Sequence, residues 1–307
     1  MRVGSRKLRR DEKGFTGLEA AIVLIAFVVV AAVFSYVMLG AGFYTTQKSK
    51  RVVDTGVQQA SSSLTLDGQY IYVDASKNHG GKTGSSGEVS TIYFYVTQTA
   101  GGSPVDLEKT SIAITTAEGY KQVFFSPLSE GDIVVINSST NLDDGAVIDY
   151  TNGDEKTVSS ISGKVAAGST LIVKNGTSDL VNGTVSKIIT VYLNSTNGYK
   201  IPAMGIIVVG TGTTGTLIVP KAWWYEWAVA DGDNTVEVNE KYKIVLAVST
   251  NSTIWGDFAA LAKEAPWSGI GTISPNDEIT VELRPPIGAP LTITKTMPPS
   301  FGNLNFV

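Results

Sequence analysis

The stretch KGFTGLEAAIVLIAFVVVAAVFSYVMLGAGF, Lys13–Phe43, decides how this chain begins. Ala20–Leu39 is an unbroken run without a charge, and Gly40–Tyr44 prolongs it. About twenty helical residues cross a hydrocarbon core of about 30 Å, so the run is long enough to span a membrane. Basic residues lie only on its N-terminal side until Lys48, which orients the N-terminus toward the cytoplasm and sends the bulk of the chain outward. A secretory signal would have a shorter apolar region followed by a small-residue cleavage site. Here the notable junction, Gly14–Phe15, stands in front of the run. One carboxylate, Glu19, sits at the mouth of the span.

The helical pattern continues past the span. Val53, Val57, Ala60 and Leu64 recur on one helical face, which predicts a helix from Phe15 to about Leu64, roughly 75 Å long. Gly40, Gly42 and Gly56 weaken it by about 1 kcal/mol each relative to Ala. A bilayer does not need that length, but a helix packed on copies of itself does. A helix apolar all round belongs in a membrane or in the core of a large assembly.

From about Thr65 the hydrophobic period changes to two. TIYFYVT (91–97) and ITVELR (279–284) alternate, and QYIYV, DIVVI, STLIV, KIITVYL, GIIVVG, GTLIV and YKIVLAV are further short apolar runs. Clusters such as NHGGKTGSSGE, DDG, NGD, DGDN and STNG separate them as turns. GTGTTGT (210–216) reads as a hairpin turn, and RPPIGAPL and TMPPSFG as edge strands or extended tails. The expected fold is α+β: a long N-terminal hydrophobic helix followed by an antiparallel β-sandwich of Ig-like character, as one enlarged sandwich or two subdomains.

Charge and composition narrow the function. The chain has 307 residues, net charge −4 and no cysteine, which excludes disulfides and thiolate metal sites. Residues 1–14 carry six bases and two acids, which leaves −8 on the remainder. An acidic exterior disfavours nucleic acid, whose binding depends on Lys and Arg displacing counterions. Catalysis has little support: the one histidine, His79, lies in a Gly-rich loop, and GGKTG lacks the upstream glycine of a phosphate-binding loop. No catalytic or metal-binding residues are assigned. NLDDGAVID (141–149), NGDE (152–155) and DGDN (231–234) present oxygens suited to calcium, but none matches the full EF-hand pattern, and solvated acidic turns are the favoured reading. WWYEW (223–227) suits either a subunit or sugar contact or the sandwich core.

Five Asn-x-Ser/Thr sequons, at Asn137, Asn175, Asn182, Asn194 and Asn251, lie in polar, turn-like contexts on the exported side.

The basic leader ending in DEKG, followed by FTGLEAAIVLIAFVVVAAVFSYVMLGAGF, resembles the start of archaeal flagellins (archaellins), within the type IV pilin-like class. The resemblance covers Asp11–Phe43. It implies that a prepilin-type peptidase cuts between Gly14 and Phe15, so that residues 1–14 are a leader, 15–64 the filament-core helix and 65–307 an exported outer domain. A glycine before the bond suits a tight cleft because it has no Cβ. The resemblance also implies that Glu19 pairs with the new amine at Phe15, its own or a neighbour's, during assembly. The plainer alternative is a carboxylate in the headgroup region, favoured by the helix dipole. The implied product is a rotating extracellular filament for swimming, a homopolymer served by a separate assembly and motor platform and inserted in the membrane only as a precursor. N-glycosylation of the sequons fits the same family. An adhesion pilin is the near alternative, and a membrane-anchored carbohydrate-binding surface protein the distant one.

Overall fold

The computed structural model describes residues 5–61, 63–74, 88–100, 102–125, 134–136, 143–149, 158–165, 167–194, 200–209, 214–219, 221–250, 266–301 and 305–307. The chain divides into two compact units, Met1–Val57 and Gln58–Val307.

The first unit is a helix. It runs from Ser5 to Ser61, 57 residues, or about 85 Å at ~1.5 Å per residue. Gly40, Gly42 and Gly56 lie inside it without a break. The helix ends at Ser61, and Leu64 begins the first strand, Leu64–Leu66.

The second unit is β-structure. A six-stranded sheet has Tyr72–Asp74, Thr91–Gln98, Lys241–Ala247 and Trp223–Val229 side by side, with Asn305–Phe306 at one edge and Leu64–Leu66 also paired to Thr91–Gln98. A four-stranded sheet comprises Tyr120–Phe124, Ser111–Thr115, Glu278–Arg284 and Leu291–Thr296. A seven-stranded sheet is built around the hairpin partners Thr170–Asn175, Ser178–Asn194, Lys200–Val209 and Thr214–Val219. Nearly all pairing is antiparallel; Val147–Asp149 runs parallel to the end of Ser178–Asn194.

The sandwich expected from the sequence is the packing of the six- on the four-stranded sheet. Ile92, Phe94, Val96, Tyr242, Ile244 and Leu246 from the first meet Ile112, Ile114, Ile279, Val281 and Leu283 from the second, all essentially inaccessible to solvent. The seven-stranded sheet then covers the opposite face of the six-stranded one. Its Leu171, Val173, Val185, Ile206 and Val208 pack with Trp224, Val245 and Ala247. The six-stranded sheet is therefore a central layer, buried on both faces where the outer sheets overlie it.

Each of the nine apolar runs singled out in the sequence contributes residues to a strand, although QYIYV does so only through Tyr72 and Val73, and residues 132, 133 and 210 lie outside the described set. RPPIGAP joins Glu278–Arg284 to Leu291–Thr296, where its prolines interrupt no ladder, and TMPPSFG leads from that strand to the edge strand Asn305–Phe306. Val209 pairs with Thr214, so GTGTTGT does close a hairpin, although residues 210–213 lie outside the described set.

Candidate assembly surface

The helix presents apolar side chains on every side. Leu18, Ile22–Ile25, Phe27–Val30, Val33, Phe34 and Val37–Leu39 are all more than half exposed, with Phe27 at 74% and Tyr36 at 80%. The segment Gly17–Val57 is long and apolar enough to cross a membrane, and none of its most apolar window is buried. Its threonines add little polarity. Thr45, Thr46 and Thr55 donate their hydroxyls to the carbonyls of Ala41, Gly42 and Arg51, one turn back, at 2.7–2.8 Å. Helical periodicity places Glu19 on a face with Ala20, Val23, Leu24 and Phe27, the carboxylate being exposed at the N-terminal end of this apolar surface. Gly14 and Phe15 lie in helical backbone.

A second feature is a buried polar network between the central and seven-stranded sheets. Glu226 and Lys243 sit opposite each other on neighbouring strands, and Lys243 Nζ donates to Glu226 Oε2 at 2.8 Å. Lys243 also reaches Asp144 at 3.0 Å, while Glu226 Oε1 accepts from the Thr190 hydroxyl and from Trp224 Nε1. Asp144 in turn accepts from the Thr190 backbone N–H at 3.1 Å. The network thus pins Lys243 to the turn before Val147–Asp149 and ties Glu226 to the middle of Ser178–Asn194. Burial pushes the Glu226 carboxyl above the usual carboxylate range, against the pull of Lys243. Burial alone would depress the Lys243 ammonium, but Glu226 and Asp144 hold it above its ordinary value. Tyr93 lies under Lys243, 4.9 Å from ring centre to Nζ, and burial raises its hydroxyl to about 12 against that cation.

The aromatic stretch 223–227 belongs to the interior. Trp223 and Tyr225 enter the core shared with the four-stranded sheet, and Trp224 enters the core shared with the seven-stranded one. The exposed aromatic surface lies elsewhere, on residues the sequence reading did not single out for it. Tyr72 stacks on Tyr93 at 4.6 Å and meets Phe306 edge-on at 5.1 Å, and Tyr70 and Phe306 are 58% and 62% exposed.

Three of the sequons are described, and all three fall on the seven-stranded sheet. Asn175 is exposed at the end of its strand, before a turn in which Gly176 takes φ +61°. Asn182 is exposed and donates its amide to Asp179 at 2.8 Å. The Asn194 amide donates to Asp149 at 2.7 Å. Asn137 and Asn251 lie outside the described residues, as do His79, GGKTG and NGDE. The acidic turns that are described use their carboxylates locally. Asp143 meets Lys187, Asp231 Oδ1 accepts from Asp233 N–H, and Asp233 Oδ1 accepts from Thr235 N–H. Among the described residues no three His, Asp or Glu side chains converge as a metal site.

The sequence model of archaeal-type flagellin matches residues 14–295. "Probable flagellin 2" of Archaeoglobus fulgidus is 50% identical over 307 residues, covering all of both chains. The chain belongs to the archaeal-type flagellin family. This flagellin is accordingly a structural subunit of an extracellular surface filament and not an enzyme. Other similarities include the "24 kDa flagellin" of Methanospirillum hungatei, 91% identical over 32 residues that make up all of that sequence and 10% of this one. Among solved structures, the archaeal flagellum of Methanospirillum hungatei strain JF1 aligns over 94% of this chain and 96% of its own, at 23% identity and a TM-score of 0.46.

Proposed function

We propose that this flagellin is made as a membrane-inserted precursor, cut between Gly14 and Phe15 by a prepilin-type peptidase, and polymerised through its helix into a filament rotated for swimming. Residues 1–14 are then the leader, the helix from Phe15 forms the filament core, and residues 65–307 form the outer domain. The observation that carries this reading is the helix that is apolar on all sides. Each large apolar side chain on it gains about 1.5–3 kcal/mol on leaving water. Lipid satisfies that surface before assembly, and bundled copies satisfy it afterwards. The family match, beginning at Gly14, supports a functional boundary at that residue.

Cleavage gives Glu19 a partner. The new amine at Phe15 lies four residues away, one helical turn, and a carboxylate in an apolar bundle needs a counter-charge. A separate platform supplies assembly and rotation, and the sequons carry glycans on the outer domain.

N-terminal sequencing of filaments sheared from cells tests the reading. A mature chain beginning at Phe15 is the expected result. Recovery only from membranes, starting at Met1, would overturn it, and a swimming assay of a deletion strain separates a motility filament from an adhesive one.

A further inference from the structure

We propose that, in the assembled filament, the basic segment Lys48–Arg51 of one subunit's helix docks against the acidic end of a neighbouring subunit's β-domain, formed by Glu108, Asp231, Asp233 and Glu237. The proposal rests on the filament reading and adds a specific contact to it.

Neither set of charges finds an opposite charge among the described residues of its own subunit, although Asp231 and Asp233 accept backbone N–H groups and Glu108 accepts the Tyr225 hydroxyl. Lys48, Lys50 and Arg51 follow directly on the apolar run, with Asp54 as the one nearby acid, and none of the three makes an ion pair among the described residues. The other acid on the helix after Gly14, Glu19, is 29 residues from Lys48, about 44 Å along the axis. Cations packed beside an apolar bundle need carboxylates from elsewhere.

The β-domain supplies them. Thr235–Val236 pairs with Val105–Asp106, and Leu107 N–H donates to the Asn234 carbonyl at 3.0 Å, so the two acidic segments form one surface. Glu108, Asp231, Asp233 and Glu237 are exposed there, Asp106 and Glu240 are half-buried, and Lys109 is spent on Asp106 at 2.7 Å. The excess of negative charge is felt inside: burial, then Glu240, Asp233 and Asp231, hold the Tyr242 hydroxyl protonated well above its ordinary range. Val229 and Val238, about 60% exposed, flank the carboxylates and match Val52 and Val53 beside the cations.

Position within the β-domain points the same way. Thr97 pairs with Thr65 on one side and Lys241 on the other, and its hydroxyl donates to the Glu240 carbonyl at 2.8 Å. The acidic turn therefore lies two strand spacings, about 10 Å, from the strand by which the chain enters the domain. In a homopolymer every basic segment has an identical acidic surface among its neighbours, and two different patches meeting head-to-tail generate a helical array.

The absence of cysteine makes the contact testable by cross-linking. Chains carrying Lys48→Cys and chains carrying Glu237→Cys are co-expressed in one cell, and the mixed filaments are treated with a short bismaleimide. Covalent dimers from mixed filaments, and none from filaments of either variant alone, are expected. Normal filaments without dimers would overturn the docking while leaving the filament reading intact, and loss of wild-type filaments altogether would instead remove that reading. A charge exchange supplies the second arm. Lys48→Glu with Arg51→Glu should lower filament yield about tenfold, and adding Glu108→Lys and Glu237→Lys should restore most of it. Failure of that rescue in a chain whose tryptophan fluorescence shows a folded β-domain would also overturn the proposal.

Discussion

Lys243→Met should destabilise the β-domain strongly at neutral pH and only weakly in acid. Lys243 holds Glu226 at 2.8 Å in a site where the Glu226 side chain is 8% exposed and that of Lys243 13%. Removing the ammonium leaves a buried carboxylate without its cation, a loss of about 3–5 kcal/mol. Asp144 is half exposed and adds little of its own. For a domain of this size each kcal/mol moves the melting temperature by about 2–4 °C, so the variant should melt roughly 6–20 °C lower near neutral pH. The Glu226 carboxyl is already raised by burial, and loss of the cation raises it further. A carboxyl raised in the folded state favours folding while protonated, and that contribution disappears as pH climbs through its folded value. The deficit of the variant is therefore smallest below the ordinary carboxylate range and opens as pH rises toward neutral. Lys243 has the same sign: its raised value contributes stability that is lost only when alkali titrates the folded ammonium. Thermal melts of the full chain in detergent, followed by tryptophan fluorescence, read this directly because Trp224 donates to Glu226. The double variant Lys243→Met/Glu226→Gln should recover much of the loss. A single variant that melts within about 2 °C of the parent at neutral pH, or loses as much in acid as at pH 7, would refute the reasoning.

Other expectations follow from the same structure. Trp224→Ala empties the centre of the core between the central and seven-stranded sheets and should cost about 3–5 kcal/mol, measured by denaturant titration, with the hairpin strands 170–194 losing amide-exchange protection first. Glu19→Ala should leave cleavage after Gly14 intact and sharply reduce filament yield; normal filaments from that variant would remove the pairing with the Phe15 amine. Glycopeptide mass spectrometry of the outer domain should find at least two of the five sequons occupied, Asn175 and Asn182 among them because both face solvent. Five unmodified sequons would dismiss the glycan assignment.

The two units differ in how far they could be read without coordinates. The helix is local: its apolar run and its length are set by residues close in sequence, and its exposed surface follows from the run having no polar face. Strands in the β-unit were legible for the same reason, since side-chain alternation is a short-range signal. The third layer was not. In the strand Lys241–Ala247, Ile244 and Leu246 enter one core while Val245 and Ala247 enter the other, as befits a strand buried on both faces. Nothing local says which sheet supplies the second cover.

The order of leader, junction, carboxylate and apolar run was enough, by itself, to place this chain among filament subunits, because each of those features acts within a few helical turns. Tertiary structure alone decided that Trp224 and Glu226 point away from the core that holds Trp223 and Tyr225, and that Glu226 finds Lys243 across the ladder and Thr190 across the layers. It also decided that Asp106 and Asn234, 128 residues apart in sequence, join two acidic segments into one surface. The physical reason is the same in each case: pairing register and layer stacking are long-range choices, made by the free energy of the whole core rather than by any stretch of the chain.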